Sequence, residues 1–525
     1  MTSTDVPAPG EWTLLFTTAD DEVPEHFHPV LDGWVGHLRE REKGAGIRVG
    51  TPILVAPDHR VDPRLVAFFN SLDFSGLALT SRQTYAYEYK WWSEFLERFH
   101  TTWDFATEAD FAAYKVWRTD PTVHPPAQTR KDKRWVEGAT WVKCVAALDR
   151  LYAWAEKKGY VEESPIPRSQ VGRTAAPTAA VYSKNVRSNR TKWVSAATYR
   201  AWRDVGIRGY GLGVGGNGEL KATTPDERFR GRNVQRNAAF TDLLFSSALR
   251  RQEGGSLLID EVPEVGQESF VGAAAKRGKV RPWQAEPAAL GNLADYINVT
   301  RRGAVRRAQK AGRYDSLNPI WIDHIAARSR YGVVLVTTDG AELSMKGLDI
   351  ASRMRLMRYT DTDVYKGPEP LWLWLSEDGL PMAPDGWGSI FQRASKRFAQ
   401  ECERLGRDER DVLFLSPHSL RYSYALYVLV VLHQFMDRKY GYSPTDPYDE
   451  RRYSPAYDIV RDLLGHSSTQ TTRNHYLQPV LGLRGKAIVG ARDAQAAIAA
   501  LSLTNPEVRH LAPAEMLPDT LGPNE

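Results

Sequence analysis

The sequence has little cysteine: only Cys144 and Cys402 occur, and they are far apart in the chain. Two isolated cysteines cannot form a disulfide framework or a CxxC metal site, so a reducing compartment is expected. Long hydrophobic runs are missing as well. The longest, Ala425–Leu432, is much shorter than the roughly 20 apolar residues that span a bilayer.

The N-terminus also lacks a basic region followed by an apolar core, so no signal peptide is expected. A large excess of charge of one sign is absent too, because the net charge is only +5. This balance is compatible with a nucleic acid partner but does not require one. Together these absences predict a soluble, cytoplasmic protein without a membrane partner.

The 525 residues exceed what one ordinary core needs, so two or three domains are expected. Residues 62–165 carry two helical patterns, with apolar residues at i+3 and i+4 spacing from Tyr85 to Phe99 and from Trp141 to Ala155. They predict a small all-helical domain. Residues 1–61 precede it as an extension of unknown role.

The rest of the chain divides by composition. Residues 166–192 are rich in proline, alanine, serine and arginine without periodicity, which predicts a basic linker. Residues 193–482 predict a larger, mostly helical domain with a strand-like insert, and residues 483–525 a C-terminal helix and tail. Within the larger domain we predict a hairpin over 269–283 with Gly278 at its turn, a strand over 371–375, and helices over 234–246, 387–404 and 418–432.

Four short segments of the larger domain carry residues suited to chemistry on a phosphodiester. They are Ala248-Leu249-Arg250-Arg251-Gln252-Glu253, Lys276-Arg277-Gly278-Lys279-Val280-Arg281-Pro282, His418-Ser419-Leu420-Arg421, and Leu464-Gly465-His466, the last followed by Tyr476. A phosphodiester is anionic and gains further charge in its transition state, so catalysis needs fixed positive donors. Arginine is suited to this because its planar fork grips two oxygens at once.

In that order the segments resemble the active-site boxes of tyrosine recombinases of the phage-integrase kind. Those boxes are Leu-Arg-x-x-Glu, a hairpin lysine, His-x-x-Arg, Leu-Gly-His and a C-terminal tyrosine, and the resemblance covers roughly residues 62 to 480. It implies a mainly α fold with a small β component, in which a helical, SAM-like core-binding domain and a mixed α/β catalytic domain form a clamp on DNA.

The chain departs from the family pattern in a few places. The step from His466 to Tyr476 is one residue longer than usual, and Tyr422 stands where many members have histidine. Long insertions fall near 301–313 and 437–457. The first contains a run of arginines that is either an extra DNA contact or a solvated helix face, and the second is polar and turn-rich, which predicts a surface loop.

The resemblance implies a role for each site residue. Arg250 and Arg421 would bind the scissile phosphate; the spacing to Glu253 favours Arg250 over Arg251. Glu253 would hold Arg250 in place, with an exposed helical carboxylate as the alternative. Lys276 would be the general acid, with Lys279 as the alternative. His418 and His466 would donate hydrogen bonds to the phosphate. Tyr476 would be the nucleophile.

The resemblance also implies partners. Double-stranded DNA is expected, with a homo-tetramer assembling on two DNA sites and an accessory directionality factor as a further candidate; in the cell the protein would be nucleoid-associated when bound. No cofactor or metal is expected. Candidate DNA contacts are the basic residues Arg130, Lys131, Lys133, Arg134, Lys184, Arg187, Arg190, Lys279 and Arg281.

Two other functions fit the same residues. A type IB topoisomerase-like enzyme would use the same chemistry without strand exchange between two sites. A catalytically silent relative would keep the scaffold and bind DNA only.

Overall fold

The computed structural model describes residues 11–17, 40, 44, 46–124, 135–136, 138–169, 178–179, 193–215, 220–271, 281–329, 332–345, 348–361, 366–407, 414–441 and 449–473. Contacts divide the chain into two compact units, Met1–Asn189 and Arg190–Glu525. The finer domain boundaries expected from the sequence stay predictions.

The first unit is mainly helical. Its elements are β1 (Thr13–Phe16), β2 (Pro52–Val55), α1 (Pro63–Asn70), α2 (Leu72–Ser75), α3 (Leu79–Glu97), α4 (Glu108–Thr119), α5 (Gly138–Lys158), β3 (Arg168–Ser169) and β4 (Thr178–Ala179). Strands β1 and β2 pair antiparallel, as do β3 and β4. The two long helices predicted between residues 62 and 165 are α3 and α5.

Aromatic side chains form the core of this unit. Trp92 and Tyr152 are almost fully buried, and the Trp92 indole N–H donates to the Tyr152 hydroxyl over 2.9 Å. Full burial of one such side chain contributes on the order of 2 kcal/mol. Leu54 of β2 belongs to the same core and Trp12 packs against it. Part of the N-terminal extension is therefore integral to the helical unit.

The second unit is larger and also mainly helical. Its elements are α6 (Ala196–Gly206), β5 (Tyr210–Val214), β6 (Leu220–Pro225), α7 (Val234–Ser247), α8 (Arg251–Gly255), β7 (Ser269–Val271), β8 (Arg281–Trp283), α9 (Pro287–Asp295), α10 (Arg302–Lys310), β9 (Ile320–Ser329), β10 (Gly332–Thr337), β11 (Glu342–Ser344), α11 (Ile350–Met354), β12 (Leu356–Asp361), β13 (Lys366–Pro370), α12 (Trp387–Arg404), α13 (Pro417–Tyr440) and α14 (Ser454–Leu464). A π-helical turn, Tyr296–Arg301, joins α9 to α10.

The strands of this unit form one five-stranded sheet and two hairpins. The sheet has the order β11-β10-β9-β12-β13 and is antiparallel except between β9 and β12. The hairpins are β5–β6 and β7–β8. The mainly α fold with a small β component, the helices α7, α12 and α13, and the antiparallel pairing of the two strands within 269–283 are confirmed. The turn predicted at Gly278 lies outside the described residues.

The strand predicted over 371–375 is wrong. Leu371–Leu375 are buried, but they make only isolated bridges, from Trp372 to Leu258 and from Leu375 to Pro381. The regular strand β13 ends just before them, at Pro370. The Leu371 backbone N–H still donates to the Leu356 carbonyl oxygen over 2.9 Å, after which the chain leaves β12 and Trp372 bridges to Leu258.

The region 437–457 is not simply a surface loop. Helix α13 continues to Tyr440, and α14 begins at Ser454. Tyr453 is 2% exposed, its ring stacks on His433 with centroids 4.2 Å apart, and its hydroxyl donates to Asp437. Aromatic packing between the two helices therefore fixes both flanks of this region.

The arginine run near 301 is only partly solvated. Arg301 is 1% exposed; it donates to Glu369 Oε1 over 2.6 Å and to the carbonyl oxygen of Trp372 over 3.0 Å. Arg301 is thus a structural cation. Arg302 is half-buried, and the exposed side of α10 carries Arg306, Arg307 and Lys310.

Cys144 and Cys402 are both buried and unbridged, as expected. Over the parts of the chain that the structure describes, every helix is too short or too polar to cross a membrane. The same parts contain no cluster of side chains that would hold a metal ion.

Candidate functional site

The turn between α7 and α8 positions Arg250. Helix α7 ends at Ser247 because Ala248 adopts the left-handed conformation, with φ at +54°. The chain then re-enters a helix, and Glu253 reaches back to Arg250: its Oε2 accepts from the Arg250 backbone N–H over 2.8 Å, and its Oε1 from Arg250 Nη1 over 2.6 Å.

Arg250 and the neighbouring Arg251 have different hydrogen-bond partners. Arg251 points elsewhere, since its Nη2 donates to Asp385 Oδ1 over 2.5 Å. Glu253 is fully buried, so the alternative of an exposed helical carboxylate is wrong. The Leu-Arg-x-x-Glu segment therefore forms a compact unit in which a buried carboxylate orients one arginine.

Helix α13 carries Arg421 and His418 on adjacent turns. Its start is defined by Pro417 in the first turn and by Ser416, which caps it together with Ser419. Arg421 is 3% exposed, and its guanidinium donates to the carbonyl oxygens of Ala248 and Leu464. His418 lies one turn earlier on an exposed part of the helix, edge-on to the ring of Tyr422 with centroids 5.3 Å apart.

The Leu-Gly-His segment ends α14. Gly465 has φ at +58°, and the backbone N–H of His466 donates to the carbonyl oxygen of Arg461 over 3.0 Å, which closes the helix end. The carbonyl oxygens of the last helical turn lack partners within the helix. Those of Leu463 and Leu464 instead accept from the arginines of the site.

His466 is held by a threonine. Its Nδ1 lies 2.9 Å from the Oγ1 atom of Thr472, which is fully buried. This hydrogen bond fixes the orientation of the imidazole ring. Thr472 was not among the predicted site residues, because a threonine near a histidine has no distinctive spacing in the sequence.

Arg281 lies in the interior of the unit. We expected it to be a DNA contact on the hairpin, but its side chain is only 7% exposed. Its Nη2 donates to Glu253 Oε2 over 2.6 Å, and its Nη1 to the Leu463 carbonyl oxygen over 2.8 Å. These acceptors hold its guanidinium inside the unit.

Three arginines therefore surround one carboxylate. Burial alone would raise the pKa of Glu253, but the positive charges of Arg281, Arg421 and Arg250 together hold this pKa below its usual value. Burial lowers the pKa of Arg281. Three positive charges against one negative charge leave the cluster cationic, which is the electrostatic requirement for binding a phosphate.

The structure thus brings together Arg250, Glu253, Arg421 and His466 from three distant stretches of sequence. His418 lies on the same helix as Arg421. The other predicted site residues fall outside the described residues: Lys276, Lys279, Tyr476, Arg130, Lys131, Lys133, Arg134, Lys184, Arg187 and Arg190.

No protein-family model matches the chain, and no curated protein matches it. Among solved structures, it is similar to the XerH site-specific recombinase bound to palindromic difH substrate in a post-cleavage complex. There the identity is 12%, the match covers 81% of this chain and 83% of that one, and the TM-score is 0.42.

Two further solved structures are similar to a comparable extent. The Tn1549 transposon integrase in complex with transposon right end DNA has 12% identity, with coverage of 84% and 99% and a TM-score of 0.40. The integrase from mycobacterium phage Brujita has 9% identity, with coverage of 81% and 94% and a TM-score of 0.21. At identities this low, the residues of the site are the basis for assigning a function.

Proposed function

We propose that this chain is a tyrosine-type site-specific DNA recombinase. The observation that carries the proposal is that Arg250 and Arg421 donate to the same oxygen, the Leu464 carbonyl, with an Arg250 Nη2 distance of 3.2 Å. Two guanidiniums that reach one oxygen atom have the arrangement needed to bind a nonbridging phosphate oxygen.

The nucleophile in this proposal is Tyr476. A tyrosine hydroxyl has a pKa of about 10, so it needs neighbouring cations to stabilise the phenolate at neutral pH. Its attack on the scissile phosphate forms a 3′-phosphotyrosyl bond and releases a 5′-hydroxyl. The 5′-hydroxyl of a partner strand then attacks that bond and frees the tyrosine. Bond energy is conserved in the phosphotyrosyl bond, so ATP is not required. The arginines of the site supply the positive charge that a metal ion would otherwise supply.

The remaining residues have supporting roles. Lys276 would give a proton to the leaving 5′ oxygen, and His418 and His466 would donate hydrogen bonds to the phosphate. Candidate contacts to the DNA backbone are the basic residues of 130–134, those of 184–190 and Lys279. Exchange of strands requires two DNA sites, for which a tetramer is the expected assembly.

The test is covalent trapping on a suicide substrate. The full chain is incubated with a pool of nicked duplexes whose sequence flanking the nick is randomised, and protein–DNA adducts that survive detergent are collected and sequenced. Wild type should form an adduct whose peptide maps to Tyr476, and Tyr476→Phe should form none. Tyr440→Phe is the matched control, because Tyr440 is 52% exposed at the end of α13 and has no assigned role.

The outcomes separate the proposal from its rivals. A wild-type chain that binds DNA but never forms an adduct is a silent relative, and the proposal then fails. An enzyme that forms the adduct and relaxes supercoils, but never joins strands of two enriched duplexes, is topoisomerase-like. Adduct formation with strand exchange between two duplexes supports the recombinase.

A further inference from the structure

Arg281 is bound by the same groups that bind the two phosphate-binding arginines. Its Nη2 donates to Glu253 Oε2 over 2.6 Å and to the Ala248 carbonyl oxygen over 3.3 Å. Arg421 also donates to the Ala248 carbonyl, and Arg250 also donates to Glu253. Arg281 therefore shares acceptors with both arginines, although it lies on a different element.

The hydrogen bonds to Glu253 distinguish the three arginines. Oε2 accepts from Arg281 Nη2 and from the Arg250 backbone N–H, while Oε1 accepts from Arg250 Nη1. Arg421 Nη1 lies 3.7 Å from Oε2, which is beyond hydrogen-bonding distance. At this separation Arg421 is close enough to feel the carboxylate charge without a hydrogen bond between these two atoms.

We propose that Arg281 is a positioning residue for the DNA-cleavage reaction. It occupies Oε2 of Glu253 and thereby keeps Arg421, whose Nη1 lies 3.7 Å from that oxygen, from hydrogen-bonding to it. The Arg421 guanidinium thus stays aligned with the scissile phosphate. This inference rests on the proposed function. Arg281 itself does not contact DNA in this role, because its side chain is buried.

Loss of Arg281 has a predictable consequence. Glu253 is fully buried, and a buried carboxylate that loses a charged hydrogen-bond donor gains strongly by acquiring another. Arg421 is a cation within reach of the vacated oxygen. Its guanidinium would move onto Oε2, where part of its charge is neutralised and its alignment with the phosphate is lost.

This role is tested by single-turnover cleavage, with the full chain and a suicide duplex whose sequence was recovered from the trapped adducts. Arg281→Met is expected to lower the cleavage rate about 100-fold, the usual effect of losing one preorganised donor. Affinity for the same duplex should change little, since it is spread over many phosphate contacts.

Arg353→Met is the matched control. Arg353 is 2% exposed in the same unit and pairs with the buried Glu261, so it reports the cost of removing any buried, paired arginine. It should lower the thermal midpoint as Arg281→Met does, while the cleavage rate of the folded protein stays at the wild-type value.

An Arg281→Met variant that cleaves as wild type does would overturn the role of Arg281 while the proposed function stands. A crystal structure of Arg281→Met gives a readout independent of activity. The distance from Arg421 Nη1 to Glu253 Oε2 should shorten from 3.7 Å to a hydrogen bond, and an unchanged distance refutes the inference. If wild type traps no DNA, the proposed function itself has failed.

Discussion

A Cβ atom on Gly465 would lie 2.9 Å from the Cδ atom of Arg281. Gly465 also has φ at +58°, in the left-handed region that side chains disfavour. The end of α14 can approach the hairpin arginine this closely only because residue 465 has no side chain. The glycine thus serves both the conformation of the turn and its contact with Arg281.

Gly465→Ala is therefore expected to slow cleavage about 100-fold, because displacement of Arg281 and of the helix end misplaces the reacting groups. Gly441→Ala is the control, since Gly441 ends α13 with φ at +68° and has open space around its Cβ position. Each variant should lose about 1 kcal/mol of unfolding free energy from backbone strain. Equal cleavage by the two variants, in single-turnover assays, would show that the contact with Arg281 is unimportant.

Glu253→Gln should lower the unfolding free energy by about 3 kcal/mol at pH 7, because buried arginines lose their carboxylate. The pKa of Glu253 is lower in the folded chain than its usual value of 4.5. Such a carboxylate stabilises the fold fully above the unfolded-state pKa, and this stabilisation is lost as pH falls through the folded-state pKa.

The stability difference between wild type and Glu253→Gln should consequently be constant near neutral pH and shrink as pH falls below 4.5. Urea unfolding of both proteins at a series of pH values from 7 downwards measures it. A difference that grows in acid would mean that the carboxyl group is protonated more readily in the folded chain, contrary to the charge arrangement of the site.

Arg421→Ala should abolish cleavage while leaving most of the DNA affinity, because many phosphate contacts share the binding free energy. Gel-shift titration and adduct formation on the same duplex give the two quantities separately. Arg421→Lys keeps the charge but lacks the planar fork of arginine. This variant should therefore bind the duplex as tightly as wild type does, but cleave it much more slowly. Parallel loss of binding and cleavage would count against the assigned role.

Thr472→Val removes the hydrogen bond to His466 Nδ1 and preserves the shape of the side chain. A lost hydrogen bond of this kind costs about 1 kcal/mol, so cleavage is expected to slow by about fivefold. Thr471→Val is the control, since the Thr471 hydroxyl contacts Ser468 instead. If both variants behave alike, the threonine contact does not orient the imidazole.

The sequence predicted the parts of the site that depend on short spacings. Arg250 and Glu253 are one helical turn apart, and their pairing follows directly from that spacing. Helices such as α12 were predictable because their apolar residues repeat at a helical period. Arg421 and Gly465–His466 were identified by the order of their motifs. Their positions in the sequence do not by themselves place them near Arg250, and the prediction that they lie there came from the family resemblance.

The remaining features depend on partners that are distant in sequence. Arg301 belongs to a strongly charged run that predicts exposure, yet its partner Glu369 is 68 positions away and draws it into the core. The interior position of Arg281 likewise depends on acceptors in other elements, at Leu463 and Glu253. Local patterns carry no information about such partners.

Three acceptors of the arginine cluster are main-chain oxygens, at Ala248, Leu463 and Leu464. Every amino acid has a main-chain carbonyl oxygen, so the side chains at these positions can change. The requirement is that the helix ends keep the orientation of the carbonyl groups. A site built in this way can persist after most of the surrounding sequence has been replaced. What such a site retains is the backbone conformation that connects a few charged residues.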